Sequence, residues 1–206
     1  MAEEHRPVVS SHKYRSFRLA GKVAVVSGGT SGIGLAVAER FGHEGARLVV
    51  SSRKRANVDR AVGELLHSGL RPADVVGCVC HVGRAADRRA LVECAVRAFG
   101  RIDVLFHNAG VNPAMGDILE VSGGMLDKLV DTNVSSAFFL TQLAVPPHAA
   151  RGGGGHAVVH RERVWLLPRI AEPEEVAAAA AYLASDDSSF VSGETHLVVG
   201  GIHCRL

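Results

Sequence analysis

Residues 22–34 read KVAVVSGGTSGIG, and the rest of the chain is organised around them. A short apolar run, Val23 to Val26, breaks into a glycine-rich turn. The turn opens a helix carrying Ile33, Leu35, Val37, Ala38 and Phe41 on its apolar side. Strand, glycine turn and helix in this order suit a phosphate group. A helix N-terminus presents unpaired backbone N–H groups and the positive end of the helix dipole. Gly28 turns the chain out of the strand, Gly32 allows close backbone approach, and Gly34 allows tight helix packing. An ordinary strand-to-helix turn has the same signature, so the flanking sequence decides between the two.

Working outward, further apolar runs follow at Ala46 to Ser52, Val75 to Cys80 and Ile102 to Phe106. Helical stretches separate them, at about residues 56–67 and 85–99. Four nearly all-apolar strands alternating with helices predict a parallel sheet covered on both faces. Ligands on such sheets sit beyond the carboxyl ends of the strands. The glycine turn, Ser51 to Arg53, His81 and Asn108 to Gly110 all fall at those ends. Pattern alone therefore gathers four loops at one sheet edge.

Composition narrows the classes. The chain has 206 residues, 47% apolar and 21% charged, with a net charge of +2. That is the make-up of one globular domain, with no block of like charge to mark a nucleic-acid surface. No apolar run is long enough to span a bilayer. Residues 1–19 are polar, lack a signal-peptide core and are expected to be a flexible lead-in; Glu3 and Glu4 count against a transit peptide. Cys78 and Cys80 share one face of a strand and suit packing rather than a disulfide, which favours a reducing compartment. His156 and His160 are four apart, but no third ligand supports a metal site.

The end of the second strand bears on the choice of dinucleotide. An acidic residue there would bond a ribose 2′-hydroxyl, but the chain has Ser51, Ser52, Arg53 and Lys54. Hydroxyls and a guanidinium suit a 2′-phosphate, which points to NADP(H). The other reading is that Arg53 to Arg55 merely start a solvated helix.

Several segments together resemble the short-chain dehydrogenase/reductase family. Ser27-Gly-Gly-Thr-Ser-Gly-Ile-Gly34 is similar to its T-G-x-x-x-G-I-G cofactor loop, with Ser27 where Thr is usual. Asn108-Ala-Gly110 resembles the N-N-A-G motif, with His107 for the first Asn. Asp131-Thr-Asn133 resembles the segment bearing the family's catalytic Asn. Residues 169–187 and 193–195 resemble its last helix and last strand. The resemblance spans roughly residues 20–155 and 168–201. It implies a Rossmann-like doubly wound α/β fold with a dinucleotide-binding core at 20–155 and a shortened remainder at 156–206. It implies NADP(H) held by Ser27, Gly28, Thr30, Ser31, Gly32, Ile33, Gly34, Ser52, Arg53, Lys54, His81, Val82, Asn108, Ala109 and Gly110. It also implies reduction of ketones or aldehydes, as in the family's carbonyl and retinal reductases, and assembly as a homo- or hetero-oligomer with full-length relatives.

The same resemblance exposes a gap. A carbonyl that accepts hydride must be protonated, and the family uses a Tyr with a Lys four residues later and a Ser upstream. Here Tyr14 has Arg18 four residues on, Tyr182 has Asp186, and no Lys follows Lys128. Asn133 is the sole tetrad member expected to survive. After Gly155 a fifth strand begins at His156-Ala-Val-Val159, yet Leu167-Pro-Arg-Ile already resembles the approach to the last helix. One to two strand–helix units are missing, on the order of 60 residues at about 30 per unit. Arg161 to Leu167 bridge the gap and resemble nothing assignable.

Three consequences are expected. The run Thr195 to Val199 lacks a neighbour unless it pairs with residues 157–159. The helix from Pro173 to Ser185 loses its packing surface and forms poorly alone. The ending Cys204-Arg205-Leu206 follows the small–basic–leucine peroxisomal pattern, with the cytoplasm or the mitochondrion as the alternative location. Three readings stand: an NADPH-dependent carbonyl reductase, a catalytically inactive isoform that binds NADP(H) or a partner, and a chain that does not fold stably.

Overall fold

Five apolar runs lie side by side as a parallel sheet in the computed structural model, which describes residues 17–113, 118–149, 156–159 and 171–198. The strands are β1 (Val23–Ser27), β2 (Arg47–Ser52), β3 (Val75–Val79), β4 (Val104–His107) and β5 (His156–Val159), in the order β3-β2-β1-β4-β5. The helices between them are α1 (Gly32–His43), α2 (Arg55–His67), α3 (Ala85–Phe99), α4 (Gly123–Val130) and α5 (Ser136–Ala149). A π-helical turn, Asp131–Ser135, joins α4 to α5, and α6 (Pro173–Ala184) follows β5.

Residue alternation divides the core between the two faces of the sheet. Ala24, Val26, Leu48, Val50 and Phe106 point to one face and pack against Val37, Ala38 and Phe41 of α1 and Leu65 of α2. Val25, Val49 and Leu105 point to the other and meet Leu91 and Ala95 of α3 and Leu140 and Ala144 of α5. The valine, leucine and phenylalanine side chains among them each contribute about 1.5–3 kcal/mol on burial. Every residue of β1 is buried, as a central strand covered on both faces must be. Asp103 fastens the start of the sheet: its Oδ2 accepts the Val23 N–H at 2.8 Å, and its own N–H donates to the Val23 carbonyl at 2.8 Å.

The strand order reverses beside β1, with β2 on one side and β4 on the other. The loops after β1 and β4 therefore leave in opposite directions and open a crevice between them, where ligands of doubly wound sheets bind.

Two expectations need correction. The helix at 173–184 keeps a packing surface: Ala177, Ala180, Ala181 and Ala184 are buried in the same core cluster as α1, and Val176 of the same helix is buried as well. Small alanine side chains let the two helices close. A capping box starts α6, with the Glu172 N–H donating to the Glu175 carboxylate at 2.8 Å. Lys22 holds its far end, donating to the Ala184 carbonyl at 2.9 Å and to Asp186 at 2.7 Å. At the other terminus the ordered domain begins before residue 20. Leu19 is fully buried and Arg18 donates to Glu44 at 2.6 Å. The chain from Thr195 to Val198 is exposed or half-buried and joins no strand, while β5 pairs with β4. Val199 and the terminal tripeptide lie outside the described residues.

Candidate cofactor site

The loop after β1 is built by backbone fit. Gly28 has φ +66° and Gly32 φ +50°, both in the left-handed region that favours glycine. At Gly32 a Cβ would meet nothing within 4 Å, so conformation alone explains that glycine. At Gly34 the reason is packing: a Cβ would run into the Gly28 carbonyl oxygen and come 2.6 Å from Asn108 Nδ2. Ile33 packs at the rim of the core. Thr30 is buried, and its carbonyl accepts from Arg60 at 2.7 Å, which ties the loop to α2. Ser31 is the N-cap of α1 but makes no side-chain cap, and no acidic residue sits in the first turn. The helix end thus keeps N–H groups for an anion.

The loop after β4 interlocks with the first. Asn108 Nδ2 donates to the Gly28 carbonyl at 3.1 Å, and the Ala109 N–H donates to Ser27 Oγ at 3.3 Å. Ser27 Oγ also lies 3.0 Å from His107 Nδ1. Gly110 sits against Asn133, where a Cβ would be 3.3 Å from Oδ1. The Asn133 amide clamps the next residue from both sides: Oδ1 accepts the Val111 N–H and Nδ2 donates to the Val111 carbonyl, each at 2.8 Å. The π-helical turn carries Asn133 into this position.

The other two loops are tied in the same way. The Gly29 N–H donates to the Ser51 carbonyl at 3.0 Å, and the Cys80 N–H donates to the Ser52 carbonyl at 3.0 Å. Ser52 is half-buried. Arg53 and Lys54 are exposed, and among the described residues neither makes a side-chain ion pair, whereas Arg55 approaches Asp59 at 3.6 Å. His81 turns back on its own loop, with Nδ1 accepting the Gly83 N–H at 3.2 Å and the backbone N–H donating to Asp87 at 2.9 Å. Val82 is buried, and its carbonyl accepts from Arg88 at 2.6 Å. All the residues expected to hold the cofactor therefore fall at one edge of the sheet. Arg60 and Ser136 are added by the structure: the first lies a full turn into α2 and the second on α5, and neither stands in a motif.

The cysteines of this region are packing groups. Burial, with Cys94 adding to it, pushes the Cys78 thiol up to about 11, and burial pushes Cys80 up to about 12. Among the described residues no cluster of His, Cys, Asp or Glu could hold a metal. His156 stands on a strand, so the helical spacing that would pair it with position 160 does not apply there. No helix among the described residues is long and apolar enough to cross a membrane.

A parallel doubly wound sheet with a glycine turn, an uncapped helix start and an Asn-Ala-Gly loop at its switch point is the Rossmann-like class of fold. The chain belongs to the short-chain dehydrogenase family, whose model matches residues 22–159; a second model, described as enoyl-(acyl carrier protein) reductase, matches residues 157–203. Members of the family are oxidoreductases that generally bind NAD(P)(H). The chain is 38% identical to short-chain dehydrogenase/reductase SDRA of Arabidopsis thaliana, covering 92% of this chain and 97% of that protein. It is 34% identical to dehydrogenase/reductase SDR family member 4 of Oryctolagus cuniculus, covering 97% and 100% respectively. That second alignment runs over 263 positions against 206 residues here, so part of the relative stands opposite no residue of this chain. A crystal structure of a short-chain dehydrogenase/reductase from Burkholderia xenovorans shares the fold, with a TM-score of 0.81 at 24% identity over 92% of this chain and 99% of the other.

Proposed function

We propose that this chain binds NADP(H) in the crevice between β1 and β4 and belongs to the carbonyl-reducing branch of its family, but does not complete turnover by itself. The observation that carries the first part is the set of four interlocked loops at the sheet edge, with the uncapped start of α1 at their centre. The cradle fits a dinucleotide: Gly32 leaves open space beside the helix N-terminus, and Arg53 and Lys54 are exposed at the end of β2, where neither makes an ion pair among the described residues. The α1 N–H groups would hold the pyrophosphate, Ser52, Arg53 and Lys54 the 2′-phosphate, and His81 and Val82 would border the adenine side. Asn108, Ala109 and Gly110 would border the nicotinamide side. When bound, NADPH supplies a hydride for a ketone or aldehyde carbon.

The second part rests on the residue inventory. Completing the reduction requires a proton at the carbonyl oxygen, and no Tyr with a Lys four residues later occurs in the 206 residues. Asn133 remains, and its side chain holds the Val111 backbone. The excess length of the relatives' alignment supports an internal loss of the segment that bears the proton donor.

The experiment is a thermal-shift and fluorescence titration with NADPH and NADH, run beside turnover with a dicarbonyl or retinal. Expected are a shift that grows with NADPH, a smaller one with NADH, and no steady oxidation. Equal shifts for both cofactors overturn the 2′-phosphate reading, and steady NADPH oxidation overturns the loss of turnover. An exposed apolar row along α4, the π-helical turn and α5, formed by Leu126, Val130, Val134 and Phe138, supports assembly with copies of this chain or with full-length relatives. Cys204-Arg205-Leu206 supports a peroxisomal address, which a fusion of the last residues to a fluorescent protein would test.

A further inference from the structure

The buried polar groups behind the cradle form one row. Ser51, Ser27 and His107 stand in register across β2, β1 and β4, and all three are buried. They lie two residues beyond Val49, Val25 and Leu105, so they share the sheet face that meets α3 and α5. From that face Ser136 of α5 reaches His107, with Oγ 3.4 Å from Nε2.

Counting protons fixes the direction of this row. Ser136 Oγ lies 2.5 Å from the Thr132 carbonyl, which can only accept, so the hydroxyl proton is there. Ser136 Oγ therefore offers His107 a lone pair, and His107 Nε2 carries the proton. In the neutral ring Nδ1 is then bare and accepts the Ser27 hydroxyl at 3.0 Å. Ser27 Oγ, with its own proton committed, accepts the Ala109 N–H at 3.3 Å. The donors run in one sense, from Ala109 through Ser27, His107 and Ser136 to the carbonyl of Thr132.

We infer that His107 is a positioning residue: as the Nε2–H tautomer it holds the Asn108–Gly110 loop in register with the turn that carries Asn133. The two ends of the row are the two walls of the crevice after β4. An asparagine at 107 ends one bond short of the Nε2 position and keeps the Ser27 contact alone. The effect on cofactor binding rests on the NADP(H) reading, whereas the tautomer and the coupling between the two walls do not.

The test uses the ¹⁵N-labelled full chain. Imidazole ¹H–¹⁵N spectra at neutral pH are expected to show His107 protonated at Nε2 and bare at Nδ1. Ser136→Ala is expected to move the Ala109 and Val111 amide resonances and to weaken NADPH binding about tenfold, the effect of one lost hydrogen bond. His107→Asn cuts the same link and is expected to do likewise, which covers failure of Ser136→Ala to fold. A ring protonated at Nδ1 overturns the inference. So does an unmoved Ala109 resonance in the folded variants, even if their stability falls. Failure of the unaltered chain to bind NADPH would refute the proposed function, while the ring pattern and the Ala109 shift would still decide this inference.

Discussion

Replacing Gly34 by Ala tests the interlocked loops directly. The new Cβ meets the Gly28 carbonyl oxygen and comes 2.6 Å from Asn108 Nδ2. The carbonyl is held backbone and cannot swing away like a flexible side chain. Overpacking of this kind costs about 1–3 kcal/mol, and displacing Asn108 from its bond to Gly28 adds about 1 kcal/mol. The expected loss is about 2–4 kcal/mol, or about 4–16 °C in Tm for a domain of this size. Gly63→Ala is the matched control. Gly63 is exposed within α2, and a Cβ there meets nothing within 4 Å. Removing a helical glycine at such a site stabilises by about 0.5–1 kcal/mol. Urea denaturation followed by circular dichroism reads both variants on one scale. A Gly34→Ala midpoint equal to the parent's, or shifts of the same sign in the two variants, would refute the packing described for the loop.

Three further outcomes are expected. Arg53→Ala should erase most of the preference for NADPH over NADH in a paired titration while leaving NADH affinity unchanged, since its guanidinium would address the 2′-phosphate alone. In a Cys94→Ser, Cys204→Ser background, Cys78 and Cys80 should resist a thiol reagent at pH 8, because a thiol near 11 is ionised to only about one part in a thousand there; rapid stoichiometric labelling of the folded chain would contradict this. Glu44 bears on acid stability. Burial pushes its carboxyl up, but the hydrogen bonds from Arg18 and Arg40 outweigh burial and hold it below the usual carboxylate range. A lowered value means stability present above about pH 4.5 and lost as pH falls through the folded value. Glu44→Gln should accordingly flatten the fall in Tm below that pH.

The sheet was legible because its strands are nearly unbroken apolar runs, and a chain alternating them with amphipathic helices has few other folds. The edges of the runs were less so: Ile102 and Asp103 precede β4, since Asp103 is bonded to Val23 rather than laddered along the strand. The start of α4 was hidden by Gly123 and Gly124, which a Ser122 cap on the Met125 N–H carries into a helix. What escaped sequence reading most completely was distance. The packing of α6 on α1 joins segments some 140 positions apart, and no periodicity in either helix announces its partner. The site divided along the same line. Glycines and an Asn-Ala-Gly loop are local signals, whereas the Ser27–His107–Ser136 row depends on strand register and on a helix crossing above it.

The seating of α6 on α1 has a consequence for the life of the polypeptide on the ribosome. Residues 18–107 hold β1 to β4 and three helices joined by short links, so this part can condense as soon as it emerges. Until residue 184 has been made, however, the flank of α1 that receives Ala177, Ala180, Ala181 and Ala184 stays bare. A nascent or prematurely ended product would thus display a greasy strip on the very helix whose start forms the phosphate cradle. Chaperones and proteases that sense such strips would sort finished chains from unfinished ones by this one seam.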